Sequence, residues 1–98
     1  MVLEVTAFHI KPGMKNDFES RFRQASDLLA RAPGYVRHEL HKCVETDEKY
    51  LMMVQWRSIK HRAVFVGQSP HYAEWRALLD PLLDGEPVAE HYVSIRIQ

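Results

Sequence analysis

The hydrophobic pattern of the chain changes period several times, and each change predicts a new element. From Val2 to Ile10, β-branched and aromatic residues dominate, with Leu3, Val5, Ala7 and His9 alternating against Val2, Glu4, Thr6, Phe8 and Ile10. Lys11-Pro12-Gly13 supplies a turn, so this segment reads as a strand covered on both faces. Between Met14 and Ala32 the repeat lengthens. Met14, Phe18, Phe22, Ala25 and Leu29 recur every three or four residues, which places them on one stripe of a helix that Pro33-Gly34 ends. Tyr35 to Val44 alternates again, with Tyr35, Arg37, Glu39, His41 and Cys43 expected opposite Val36, His38, Leu40, Lys42 and Val44. The polar Glu45-Thr46-Asp47-Glu48 is short enough to turn a hairpin into a third strand, Lys49 to Trp56. That strand is apolar on both faces, as expected near the middle of a sheet.

Ser58 is placed to cap a helix over Ile59 to Val66, Gly67 is expected to interrupt it, and Ser69-Pro70 restarts it. Tyr72, Trp75, Leu79 and Leu82 or Leu83 carry an apolar stripe onward until Pro81 and Gly85 stop it. Val88 to Ile97 reads as the last strand, with Val93, Ile95 and Ile97 on one face. The order β, α, β, β, α, β predicts an α+β, ferredoxin-like domain: an antiparallel sheet with its helices on one face. The other face is then bare, and an apolar area of that kind is unusual on a monomer. The predicted partner is therefore a second copy packed sheet to sheet, a homodimer whose ligand cavities lie between each sheet and its own helices.

Composition narrows the partners. A chain of 98 residues forms a single domain, and its 13 basic and 13 acidic side chains argue against nucleic acid or an anionic membrane, both of which select a basic face. A small aromatic or neutral ligand fits better. Cys43 is the single cysteine and cannot form an internal disulfide; the amino-terminal MVLEVTAFHI lacks the features of a secretory signal, and no apolar run is long enough to cross a bilayer. The expected compartment is the cytoplasm.

The candidate chemistry clusters between Tyr50 and Trp75. Trp56 ends an apolar strand and shares a face with Met52 and Val54, so it fills core volume and can also offer a planar substrate a flat wall with one N–H donor. His71 falls in the first turn of a helix, where unpaired backbone N–H groups disfavour the imidazolium. A neutral imidazole there could take a phenolic proton, although a solvated helix start explains the same histidine. Tyr72 and Trp75 belong to the stripe that meets the sheet, while Thr6 and Phe8 on the first strand, with Phe65, would complete the cavity. His61, one helical turn from Arg57, is a surface residue or a residue of the cavity mouth. His38 and His41 point to opposite faces of a regular strand, and no two histidines or acids have a metal-ligand spacing, so no metal is expected. Phosphate loops, nucleophile elbows and dinucleotide fingerprints are absent from the sequence.

These motifs carry a family resemblance over nearly the whole chain. The turn Ile10-Lys11-Pro12-Gly13, the turn Ala32-Pro33-Gly34-Tyr35, and above all Gln55-Trp56-Arg57-Ser58 with the later Ser69-Pro70-His71 resemble the antibiotic biosynthesis monooxygenase (ABM) domain family. QWRSIKH followed by SPH is especially similar to its quinol monooxygenases, with the interval one residue longer here. The resemblance implies a dimeric α+β barrel and an oxidoreductase that oxidises a quinol or polycyclic phenol with O2 and no cofactor. His71 and Trp56 would then be catalytic, with Thr6, Phe8, Met52, Val54, His61, Phe65, Tyr72 and Trp75 shaping the pocket. Two alternatives stay open: haem binding or degradation on the same fold, and a non-catalytic dimer that binds a small molecule. The haem branch is disfavoured because Thr6 stands where its first-strand asparagine belongs and Trp75 falls at or near the place of its ligating histidine.

Overall fold

The structure, a computed structural model, describes residues 1–97. Four strands form one antiparallel sheet: β1 (Val2–His9), β2 (Tyr35–Lys42), β3 (Lys49–Trp56) and β4 (Val88–Tyr92), in the order β2-β3-β1-β4. Three helices, α1 (Lys15–Leu29), α2 (Ile59–Gln68) and α3 (Pro70–Leu79), join them, and a 3-10 turn at Asp80–Leu82 follows α3. The architecture is the α+β, ferredoxin-like one that the element order predicts.

Period-two alternation in β1 and β3 sets the two faces of the sheet. Glu4, Thr6 and Phe8 from β1, and Tyr50, Met52, Val54 and Trp56 from β3, are buried beneath the helices. The α1 stripe of Phe18, Phe22, Ala25 and Leu29 closes over them, and α3 adds Trp75 and Leu79. The core is rich in aromatic pairs, with Phe18 and Tyr50 at 4.8 Å and Phe8 and Phe18 at 5.5 Å between ring centroids. On the opposite face Leu3, Val5, Ala7, Leu51 and Met53 are only half-buried, and no helix covers them.

Three expectations need correction. The helix over 59–66 does not break at Gly67: α2 runs to Gln68, and the break falls at Ser69, whose backbone is extended at φ −83° and ψ 130°. Proline at position 70 disfavours helical backbone in the residue before it, so Pro70 ends α2 and opens α3 at once, with the Ser69 hydroxyl capping the His71 N–H. The last strand is also shorter than predicted. It stops at Tyr92, and Val93, Ile95 and Ile97 lie outside any strand and are exposed; Gln98 lies outside the described residues.

The third correction concerns β2. Strict alternation puts Tyr35 opposite His38, but the register shifts between Tyr35 and Arg37, which pair with the consecutive Trp56 and Gln55. This bulge turns Tyr35 to the helix side, where its hydroxyl meets His38 Nδ1 at 2.5 Å.

Gly34 sits just before the bulge with φ +84°, and the Arg57 N–H donates to its carbonyl at 2.8 Å. A Cβ on Gly34 would lie 2.1 Å from His61 Cγ and 2.4 Å from His61 Cβ, so this histidine is packed directly on the glycine backbone. Replacing Gly34 with alanine therefore adds a clash to the roughly 1–2 kcal/mol that left-handed backbone costs a residue with a side chain. Thermal or urea unfolding of Gly34→Ala should show a loss above that range. Because the His61 Cβ is itself in the way, His61→Gly and not His61→Ala should recover part of the loss in the double variant. Equal losses in the single and double variants would show that the two residues do not touch.

Candidate functional site

The helix side of the sheet contains a buried carboxylate. Glu4 alternates with Thr6 and Phe8 on the face of β1 that the helices cover, and only 5% of it is exposed. A carboxylate in such a place must be hydrogen-bonded or strongly destabilising. Three neighbours supply donors: the Trp56 indole Nε1–H at 3.0 Å and the Arg62 Nε–H at 3.4 Å reach Oε1, and the Thr6 hydroxyl donates to Oε2 at 2.8 Å. Trp56 itself is fully buried at the end of β3 and Arg62 comes from the first turns of α2, so this one side chain ties β1, β3 and α2 together.

A cavity of about 60 Å³ opens beside this cluster. Thr6, Met52, Trp56, Phe65, Tyr72 and Trp75 line it, all six predicted from the sequence, and the structure brings them together. Their rings form a run in which Trp56 and Phe65 are 5.7 Å apart, Phe65 and Tyr72 5.5 Å, and Tyr72 stacks on Trp75 at 5.9 Å with 14° between planes. Trp75 Nε1 is buried with no hydrogen-bond partner among the described residues. Such an unused donor costs about 1–3 kcal/mol unless something in the cavity accepts from it.

Glu4, Arg62 and Arg76 line the cavity as well and were not among the sequence candidates. Arg76 holds Asp80 through Nε at 2.8 Å to both carboxylate oxygens, donates to the Tyr72 hydroxyl at 3.2 Å, and reaches Glu86 at 3.2 Å. The Asp80 carboxylate and the Tyr72 hydroxyl beside it push its pKa above the usual guanidinium value, so it is a permanent cation at the cavity wall. The expected apolar chamber is instead amphipathic, with a carboxylate and two guanidinium groups set among aromatic rings. The signal for Glu4 was present in the pattern, as an acid on the same face of the predicted first strand as Thr6, Phe8 and Ile10. Arg62 and Arg76 carry no such mark, since arginines on amphipathic helices are ordinarily solvated.

Four predicted residues lie elsewhere. Phe8 and Val54 are fully buried in the core but do not line the cavity, and Phe8 is covered by Phe18 and Phe22 of α1 and Trp75 of α3. His61 is packed on Gly34 with Nδ1 2.8 Å from the Ser58 hydroxyl, on the far side of α2's first turn. His71 is also absent from the lining; its side chain is about one-third exposed, Nδ1 has no hydrogen-bond partner, and the nearest carboxylate is Glu74 Oε1 at 3.9 Å. Among the described residues no group of three or more histidine, cysteine or acidic side chains could hold a metal ion, and no helix is long and apolar enough to cross a membrane.

A family model described as antibiotic biosynthesis monooxygenase matches residues 1–78. The chain belongs to the antibiotic biosynthesis monooxygenase family. Among curated proteins it is 40% identical to the uncharacterized protein YczJ of Bacillus subtilis (strain 168), over 97% of this chain and 100% of that protein. Among solved structures, a Bordetella bronchiseptica protein that carries the family's name superposes with a TM-score of 0.91 at 28% identity, covering 97% of each chain. SnoaB of Streptomyces nogalater, a cofactor-independent oxygenase, superposes with a TM-score of 0.84 at 24% identity, over 97% of this chain and 93% of that one. The ABM fold thus accounts for the sheet and helices.

If Arg62 matters because it faces a buried charge, its removal should depend on that charge. Arg62→Ala is expected to lower stability by about 1–2 kcal/mol, discounted for partial exposure of the arginine. The same substitution made on a Glu4→Gln background should cost less than half as much. Denaturant unfolding of the four proteins in this cycle measures the difference, and an additive result would mean that the pair is not coupled.

Proposed function

We propose that the chain is a monooxygenase that oxidises a quinol or fused-ring phenol with O2 and without a cofactor, in the cavity around Glu4 and Trp56. Membership of the ABM family and likeness to a cofactor-independent oxygenase support the reaction class. One observation carries the assignment to this cavity: a buried carboxylate that is hydrogen-bonded by a tryptophan and faces a space walled by aromatic rings.

The chemistry asks for few groups. A phenol reacts slowly with O2 because its ring holds its electrons too tightly. Moving the hydroxyl proton to an acceptor makes the ring electron-rich, and one electron can then pass to O2. Glu4 is the acceptor proposed here, in preference to His71, because it lines the cavity. The oxygen species formed is negative, and Arg62, Arg76 and the unused Trp75 N–H offer it positive charge and a donor. For a phenol with a hydrogen on the attacked carbon, one oxygen atom becomes the new carbonyl of the quinone. The other leaves as water with the two hydrogens lost from the phenol.

Size sets a condition on this reading. A cavity of 60 Å³ holds dioxygen or a water or two, whereas drug-sized ligands occupy about 300 Å³ or more. Substrate must therefore enter a wider form than the closed one described here. The contacts of Phe65 with Trp56 and Tyr72 would be exchanged for contacts of those rings with the substrate ring.

Oxygen uptake with a panel of hydroquinones, naphthols and anthrones tests the proposal. Turnover above the uncatalysed rate is expected for at least one fused-ring phenol. Glu4→Gln, which keeps the shape and removes the proton acceptor, should lower kcat by about 10²-fold or more, in the range ascribed to general bases. His71→Ala should leave kcat within a factor of about two, where an uninvolved residue is expected to stand. A panel without turnover removes the function, and the opposite ranking of the two variants returns the role to His71.

The same proposal includes assembly. The half-buried Leu3, Val5, Ala7, Leu51 and Met53, with exposed Val88 and Tyr92 beside them, form an apolar sheet face that suits a second copy of the chain. Sedimentation equilibrium at micromolar concentration should give twice the 11.5 kDa chain mass. Val5→Glu should shift it to the monomer, and a single-chain particle for the unaltered protein would overturn the dimer.

A further inference from the structure

A second concave site lies between α1 and the edge strand β2. Phe22 and Leu40 form its apolar floor, and the groove has a volume of about 340 Å³, several times that of the cavity at Glu4. Polar groups surround this floor: Arg23 and Ser26 from α1, and His38 and Lys42 from β2. Glu19 lines the groove too, but its carboxylate is already engaged by the Tyr50 hydroxyl at 2.5 Å. Arg23 has no hydrogen bond or ion pair among the described residues, and Lys42 has only Asp47, at 3.7 Å. The groove thus offers two weakly used cations over an apolar floor.

The bulge in β2 adds something less obvious. Tyr35 Oη is bonded to His38 Nδ1 at 2.5 Å, and His38 Nε2 to Ser26 Oγ at 2.9 Å. Burial lowers the pKa of His38, so at neutral pH the imidazole carries one hydrogen. Tyrosine, neutral histidine and serine together hold three hydrogens, but only two links join them. One O–H is therefore left over, and it must sit at one end of the chain. If Tyr35 donates to Nδ1, the Nε2–H donates to Ser26, and the Ser26 hydroxyl hydrogen is free in the groove. If Ser26 donates to Nε2, the spare hydrogen is on Tyr35. An acceptor bound in the groove would select the first arrangement. The chain is thus a donor that a ligand can call up at no cost in buried, unpaired groups.

We propose that this groove binds a small carboxylate with an apolar body, its ring or chain on Phe22 and Leu40, and its carboxylate held by Arg23, Lys42 and the Ser26 hydroxyl. The site is separate from the cavity around Glu4, and it would stand if the oxygenase reading failed. Carboxylate is the chemistry argued, in preference to phosphate, because Glu19 also borders the groove and would repel a second negative charge.

Benzoate and benzyl alcohol, which share a ring and differ in charge, are the probes. Both are titrated into isotope-labelled protein at pH 7.5 and low salt, following backbone amides and the His38 ring nitrogens by NMR. Benzoate should produce saturable shifts confined to residues 19–26 and 38–42, at least about ten-fold tighter than benzyl alcohol, as two charge-assisted contacts would give. Arg23→Ala and Lys42→Ala should each weaken it by about 3–10-fold, and both side chains are exposed enough for the variants to fold. The His38 spectrum should move toward the form with its hydrogen on Nε2, and in Ser26→Ala that movement should vanish. Equal affinity for the two probes, shifts centred on Glu4 and Trp56, or a His38 tautomer indifferent to benzoate would each overturn the proposal.

Discussion

Burying the Glu4 carboxylate is the constraint to which much of this structure answers. An ionised group beneath a helical layer is tolerable only if each oxygen finds a donor, and the donors must come from different parts of the chain. Trp56 supplies one from the end of β3, Thr6 one from β1 itself, and Arg62 one from α2. The tryptophan cannot turn away without leaving its own N–H unpaired as well as the carboxylate. A single acidic side chain thereby fixes the rotamer of the largest buried residue and the docking of the helix that follows it. The cavity lies directly against this carboxylate, with Thr6, Trp56 and Arg62 in its wall.

The junction of α1 with β2 answers to a different constraint, that of backbone geometry. Gly34 alone can adopt φ +84° there without strain and let His61 sit on its backbone, which brings the start of α2 against the start of β2. The bulge that follows rotates Tyr35 inward, and the result is the Tyr35–His38–Ser26 chain on the helix side of the sheet. Burial raises the pKa of Tyr35 as it lowers that of His38, so both members favour their neutral forms. The Glu4 and His38 clusters are therefore of opposite character. One is ionic, satisfied and tight, and the other is neutral, short of one acceptor and open.

Periodicity was enough to read the sheet and helices, because burial on one face leaves a strong imprint on β1, β3 and α1. It also found six of the residues that meet at the cavity, since aromatic residues at inward positions of facing elements have little choice but to meet. What it missed follows from the same logic. His71 looked poised because local capping rules describe backbone, and they say nothing about which side of α3 faces the sheet. Glu4 was visible as an inward acid, but two of its three donors lie 52 and 58 residues away, and no local pattern announces such a pairing. The bulge at Tyr35 was hidden because strict alternation is the default for a strand and one extra residue leaves no trace in composition. Gly67 misled for the opposite reason: an exposed glycine with nothing near its Cβ position is merely a weak helix residue, and the proline three places on decides where the helix ends.

The walls of the cavity are not equally anchored, and this bears on how it could admit a ring. α3 buries Trp75 and Leu79 and packs along α1, so moving it would expose two large side chains. α2 fully buries only Phe65, with Val66 half-buried beside it, and the Ser58 cap, the His61–Gly34 contact and the Arg62–Glu4 pair all fall within its first turn or just before it. Its other end runs into Ser69, where the backbone is extended and no helical hydrogen bond ladder continues across Pro70. A helix pinned at its start and jointed at its end can swing at its end. Such a swing would carry Phe65 and Val66 away from Trp56 while leaving the Glu4 donors in place. The carboxylate would keep its partners throughout, so the cost of widening falls on the packing of Phe65 and of half-buried Val66, about 1.5–3 kcal/mol for each such side chain fully exposed, and an incoming aromatic ring returns most of it.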